Sequence, residues 1–206
     1  MRFVWTLVAL FALIVVTTLL FVYSGAYDVA ATTDHLGLTE WALETTMERS
    51  VASRAAGIPV PGDLDSQPRI EAGAAHYVNT CETCHGGPGV ETSEFAEGLN
   101  PKAPDLADEA EEWSPAELFW ITKHGVRMTG MPAFGPTHAD EDLWAMVAFV
   151  RALPGMSADE YSTLRQEAGS HSHEGGGHSG AEPEGDLEPA AGEEGHHHEE
   201  GEEHDH

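Results

Sequence analysis

Both cysteines of the chain lie in one short segment, Cys81-Glu82-Thr83-Cys84-His85, and no other thiol exists to pair with either of them. The C-x-x-C-H spacing is the signature of covalent haem attachment, because two thiols add across the haem vinyl groups and the adjacent histidine binds iron through an imidazole nitrogen. The motif therefore predicts one haem bonded to Cys81 and Cys84, with His85 as an axial ligand of the iron.

Two other uses of such a dithiol fit the surrounding sequence less well. Tetrahedral zinc needs four ligands, and no second Cys/His pair stands near the motif. A thioredoxin-like dithiol expects a strand before the motif and a βαβ context, and the sequence offers neither. Covalent haem is therefore the preferred interpretation.

The second axial ligand must come from a later part of the chain and be soft or imidazole-like. Met131 is the preferred candidate, because Gly130 and Pro132 favour an extended loop that can direct its thioether toward the iron. The alternatives are Met128, read more simply as a side chain packed on the haem edge, and the imidazoles of His124 and His138. A His/Met pair favours electron transfer over ligand chemistry.

With its Met-Thr-Gly-Met-Pro-Ala-Phe loop, the chain resembles the class I c-type cytochromes, specifically small membrane-anchored members with one haem, from about Arg69 to Leu153. The resemblance implies an all-α fold, a small helical domain wrapped around one covalent haem c. It also implies that Gly73 and Tyr77, on the helix entering the motif, pack against the helix from Ala139 to Leu153.

In the same family a proline carbonyl accepts the N–H of the ligating histidine and fixes its ring. The Pro104-Asp105-Leu106 turn resembles that feature, although Pro101 competes for the role and a plain surface turn is the alternative. After this turn, capping residues predict two helices. One begins at Ser114-Pro115-Ala116-Glu117 and ends at His124, and a short one runs from Ser157 to about Gln166.

The segment from Phe3 to Tyr23 contains no charged residue and is long enough to cross about 30 Å of hydrocarbon. Since Arg2 precedes it and acidic residues follow it, we expect a retained anchor with the remainder outside the cytoplasm, on the periplasmic side of a bacterial inner membrane. The alternative is a signal peptide cleaved near Ser24-Gly25-Ala26, which would leave a soluble periplasmic protein.

These features divide the chain into four parts. We expect a transmembrane anchor at 1–24, a juxtamembrane helix and linker at 25–66, a cytochrome c domain at 67–166, and a disordered tail rich in His and Glu at 167–206. The juxtamembrane helix, about Thr39 to Ala56, has an imperfect apolar stripe, which favours a stalk over a helix that binds a partner.

The chain has 36 acidic and 9 basic side chains and a net charge of −27, which excludes a nucleic-acid-binding surface built on lysine and arginine. The tail could bind copper, zinc or nickel, or could be a hydrated acidic extension. Its histidines are His171, His173, His178, His196, His197, His198, His204 and His206.

Together these features predict a membrane-tethered carrier of single electrons rather than an enzyme. Its expected partners are redox proteins in or at the membrane, such as a quinol-oxidising complex, an oxidase or a dehydrogenase. Two alternatives stay open. One is a haem c subunit or electron-entry module of a larger respiratory or dehydrogenase complex, and the other is transition-metal handling that couples the tail to the haem.

Overall fold

The computed structural model describes residues 1–171. The tail predicted to be disordered begins at residue 167, and its part beyond residue 171 lies outside the described residues. The side chains of all the tail histidines also lie outside them. The helices are α1 Arg2–Ser24, α2 Gly37–Ala55, α3 Gln67–Thr80, α4 Glu82–His85, α5 Glu94–Glu97, α6 Leu106–Glu109, α7 Pro115–His124, α8 Asp140–Ala152 and α9 Ala158–His171. Short 3₁₀ turns follow α6 and α8, at Ala110–Glu112 and Leu153–Gly155. The predicted all-α fold is confirmed.

The core is built around α8. Every residue from Leu143 to Val150 is buried, so the helix is covered on all sides rather than along one stripe. Phe119 of α7 stacks on Trp144 with the ring centroids 4.2 Å apart. Tyr161 of α9 is fully buried on the same core. Helices α3 and α7 therefore pack directly on α8, whereas α9 packs on α3 and reaches α8 through Tyr161, whose ring lies 6.2 Å from that of Phe149.

The predicted pairing of Gly73 and Tyr77 with α8 is confirmed. A Cβ placed on Gly73 would lie 2.0 Å from the Ala145 carbonyl oxygen, so the backbones of α3 and α8 approach each other too closely for any side chain. One turn later, the ring of Tyr77 lies 5.1 Å from that of Phe149. This crossing fixes where α3 ends, and Cys81 follows directly after that end.

Local signals set the ends of α7. Ser114 accepts a hydrogen bond from the Glu117 backbone N–H, and the Glu117 side chain accepts one from the Ser114 backbone, which is the predicted capping box. The helix stops at Gly125, whose φ of 64° suits a residue without a Cβ. The methionine loop begins at this point.

The juxtamembrane helix α2 packs against α7. Val51 and Ala55 are buried, and the Arg54 guanidinium lies over the Trp120 ring at 6.0 Å. The sequence suggests a stalk or a helix that binds a partner, and neither interpretation predicts that this helix packs on the rest of its own chain. Further on, Leu64 is buried in the core cluster just before the expected start of the domain at residue 67.

The final helix, α9, begins at the predicted capping box, where the Ser157 N–H donates to the Glu160 carboxylate at 2.9 Å. It continues to His171, and Ala168 is buried, so the boundary expected near residue 166 falls within the helix. At the other end of the chain, α1 has no buried residue and is long and apolar enough to cross a membrane.

Candidate haem-binding site

The C-x-x-C-H motif forms one further helical turn after α3. The backbone N–H groups of Cys84 and His85 both donate to the Cys81 carbonyl, at 3.0 and 2.9 Å. Residues three and four positions apart lie on the same face of a helix. The turn therefore presents both thiols and the imidazole on one side. Neither thiol is in a disulfide.

Contacts at Gly86, the residue after the motif, hold the turn in place. Tyr77, buried in the core, donates its hydroxyl to the Gly86 carbonyl at 2.9 Å, and burial raises the pKa of this tyrosine. Gly86 has a φ of 63°, and a Cβ there would lie 2.6 Å from the Val90 carbonyl oxygen. Only glycine fits at this position, since it has both the left-handed backbone and the close contact.

His85 is oriented by the turn that begins α6. Its Nδ1 lies 2.9 Å from the Pro104 carbonyl oxygen. Because a carbonyl can only accept, Nδ1 carries the proton and Nε2 keeps its lone pair. The Asp105 side chain accepts from the Ala107 N–H at 2.9 Å, which caps α6 and fixes the turn. The contact joins the two residues that the family resemblance implied, and its role in fixing an iron ligand stays a prediction.

The electrostatic setting of His85 favours a neutral imidazole. Burial lowers its pKa, and the Pro104 carbonyl and the nearby carboxylates of Asp105 and Glu109 act in the opposite direction. A neutral imidazole is the form that binds a metal. Burial, helped by the neighbouring Cys84, raises the pKa of the Cys81 thiol to about 12. A reactive dithiol of the thioredoxin type would need a lowered pKa instead.

The loop that carries Met131 folds back on the end of α7. The Val126 N–H donates to the Met131 carbonyl at 3.3 Å, and the Met131 N–H donates to the Thr129 hydroxyl at 3.1 Å. A Cβ on Gly125 would lie 2.6 Å from the Pro132 carbonyl carbon, so this glycine allows the loop to close. Met131 is therefore held at both its N–H and its carbonyl.

The other candidates for the second axial ligand lie in surroundings that differ from those of Met131. Met128 is 70% exposed and has a φ of 65°, whereas Met131 is half-buried. The exposed His124 lies against Trp120, with ring centroids 4.9 Å apart. The His138 ring lies 5.7 Å from that of His76. The choice among these side chains stays a prediction, and burial favours Met131 over Met128.

The structure also connects residues that sequence reasoning missed. Glu82, inside the motif, is buried and bonded to Tyr161 and Arg165 of α9. From the sequence, α9 is predicted only by its capping residues, with no role at the motif. The available signal was a charged residue in the attachment motif and a basic residue in the last helix of a chain with few basic residues.

The residues that are present fit a covalent haem. Two unpaired thiols share a helical face with an imidazole whose Nε2 is available, and a thioether stands in a loop braced by backbone hydrogen bonds. Zinc would require further ligands, and no cluster of three or more His, Cys, Asp or Glu suited to a metal occurs within the described residues.

Comparison with known proteins agrees with this reading of the site. The family model described as "Cytochrome C oxidase, cbb3-type, subunit III" matches residues 68–150. No curated protein matches the chain. The matched segment runs from the start of α3 through the buried part of α8 and includes the attachment motif, the Pro104 turn and the methionine loop. Residues 68–150 thus form a c-type cytochrome domain, which carries covalently bound haem c and serves haem-based electron transfer.

Proposed function

We propose that the protein is a membrane-tethered carrier of single electrons, with one haem c attached at Cys81 and Cys84 and ligated by His85 and Met131. The observation that carries this proposal is the 2.9 Å contact between His85 Nδ1 and the Pro104 carbonyl. That contact leaves Nε2 as the free nitrogen of an imidazole on the same helical face as both thiols.

Attachment requires no oxidant. The Cys81 and Cys84 thiols would hold the haem by adding across its two vinyl groups, each forming one carbon–sulfur bond and giving its hydrogen to the other vinyl carbon. Bound haem c supplies reversible one-electron exchange at iron.

The roles of the axial residues follow from their supports. His85 would present Nε2 because Pro104 holds Nδ1, and hydrogen bonds to the N–H and the carbonyl of Met131 support its loop. Iron ligated by both His85 and Met131 would have no open site for a substrate. This arrangement supports electron transfer without catalysis.

Helix α1 supports a membrane tether. It is apolar enough to span a membrane, and Arg2 at its start favours a cytoplasmic N-terminus with the haem domain in the periplasm. A tether confines diffusion to two dimensions and raises the rate of encounter with integral membrane complexes. The strong negative charge favours a partner with a basic docking patch.

A second candidate function is supported by the family match itself. Its printed description names an oxidase subunit, which favours a haem c subunit of a respiratory oxidase-type complex over a freely diffusing carrier. Extraction in mild detergent separates the two. Co-purification of partner subunits in fixed stoichiometry supports the subunit, whereas isolation of the protein alone supports the carrier.

The visible and near-infrared spectrum of the purified holoprotein tests the ligand assignment. We expect a sulfur-to-iron band in the oxidised form, lost in Met131→Ala and retained in Met128→Ala. Met128→Ala is the matched control, because it removes a chemically identical thioether from a position three residues earlier. Acid-acetone extraction should leave the pigment on the polypeptide. Release of all colour, or loss of the band only in Met128→Ala, would contradict the assignment.

A further inference from the structure

The haem-attachment motif contains a buried carboxylate. Glu82 follows Cys81 directly, and its residue is 9% exposed. Its carboxylate lies against helix α9. A buried carboxylate is costly unless it is paired and hydrogen-bonded. Its position therefore depends on the groups that satisfy it.

Two residues of α9 satisfy this carboxylate. The Tyr161 hydroxyl donates to Oε2 at 2.7 Å. Arg165 Nε lies 2.8 Å from Oε2 and 3.0 Å from Oε1. The two partners are four positions apart, so they share one face of the helix. Burial, reinforced by the hydrogen bond to Glu82, raises the pKa of Tyr161, which keeps its hydroxyl protonated as a donor.

The tyrosine is itself fixed in the core. It is fully buried, and its ring lies edge-on to Tyr77 at 6.4 Å. A Cβ on Gly87 would lie 2.4 Å from Tyr161 Cζ, so the ring sits directly against the segment after His85. Tyr161 consequently braces the attachment turn both through Glu82 and through the backbone that leaves the turn.

Two opposite charges meet at the attachment turn. Glu82 brings a negative charge into the attachment turn, and half-exposed Arg165 returns a positive one. Both partners of Glu82 come from α9, which lies after the segment 68–150 of the cytochrome domain. The arrangement is therefore a feature that this chain adds to that domain.

We propose that Tyr161 and Arg165 are positioning residues that hold Glu82 against the haem-attachment turn, and that Arg165 offsets the effect of the Glu82 charge on the reduction potential of the iron. This inference rests on the proposed attachment of haem at Cys81 and Cys84. Negative charge near the iron stabilises the ferric state and lowers the potential, and positive charge raises it. In a partly buried site the effect exceeds that of an exposed charge.

Redox titration of the full-length holoprotein tests the proposal. We expect Arg165→Gln to lower the midpoint potential and Glu82→Gln to raise it. The double variant should return close to the wild-type value, because it removes both charges of the pair. Arg165→Lys keeps the positive charge and should stay nearer to the wild type than Arg165→Gln. This lysine variant keeps the test usable if Glu82→Gln fails to fold.

Two control variants separate this effect from general ones. Glu94→Gln removes an exposed acidic charge beyond the motif, and Thr163→Ala alters an exposed position of α9; both should leave the potential unchanged. Potentials of Arg165→Gln and Glu82→Gln that equal the wild type, or that shift in the same direction, overturn the inference. A wild-type protein without covalent pigment overturns the proposed function instead, so the two failures are distinguishable.

Discussion

Gly73 sets the distance between two helices by having no side chain. The atoms that a Cβ would meet at this residue are the Ala145 carbonyl oxygen at 2.0 Å, its carbonyl carbon at 2.6 Å and the Phe149 Cβ at 2.8 Å. Two of the three belong to backbone, which cannot rotate away. A larger residue must therefore move α3 or α8 as a whole. Cys81 follows α3 directly, so the same contact affects the attachment turn.

We expect Gly73→Ala to destabilise the holoprotein. Overpacking against backbone costs about 3 kcal/mol, the upper part of its usual range, and the better helix propensity of alanine returns about 1 kcal/mol. The net loss of about 2 kcal/mol should lower the thermal midpoint by about 10 °C, measured by far-ultraviolet circular dichroism. Gly37→Ala is the control, because nothing lies within 4 Å of its Cβ. Equal midpoints for the two variants would contradict the close approach.

What can be predicted at the residue scale depends on how local the cause is. The capping box at Ser114 and Glu117 could be predicted, because its partners are three residues apart. The approach of Pro104 to His85 came only from a family resemblance, because 19 positions separate them. The bond from Arg165 to Glu82 spans 83 positions and follows no periodic pattern, so no local signal pairs the two residues.

At the element scale, the informative helix is α2. Its apolar positions are spread around the helix, with Leu38 and Trp41 exposed and Val51 and Ala55 buried. Such a pattern conceals a packed face, because only the C-terminal half contacts α7. The helix that precedes the domain is thus held on it.

Truncation of Val51 should release α2 without unfolding the core. Val51→Ala removes two buried methyl groups and leaves a cavity, a cost of about 2 kcal/mol. Amide hydrogen exchange in α2 should accelerate by about 30-fold, while exchange in α3 and α8 stays unchanged, because a peripheral helix opens locally. Val60→Ala, at a residue that is 44% exposed, is the matched control. Unchanged exchange in α2 would show that Val51 does not hold this helix.

At the scale of the whole molecule, the described residues include a run of carboxylates that begins beside His85. Asp105 and Glu109 act on the imidazole itself, and further exposed carboxylates follow in the same stretch, at Asp108, Glu111 and Glu112. The net charge of −27 could be read from the sequence. The position of Asp105 and Glu109 next to the imidazole could not be read from the sequence, because it depends on the turn at Pro104.

This placement predicts how electrons enter the protein. A cationic reagent such as hexaammineruthenium should exchange electrons with the holoprotein faster at low salt than at high salt, because the Debye length falls from about 30 Å at 0.01 M to about 10 Å at 0.1 M. An anionic reagent such as ferrocyanide should show the opposite dependence. Asp108→Asn combined with Glu111→Gln should slow the cationic reagent by roughly two- to ten-fold at low salt. Neutralising Glu40 and Glu71 instead, on α2 and α3, removes the same total charge away from the imidazole and should change the rate much less. Equal slowing by both double variants would mean that total charge, rather than the carboxylates beside His85, guides the encounter.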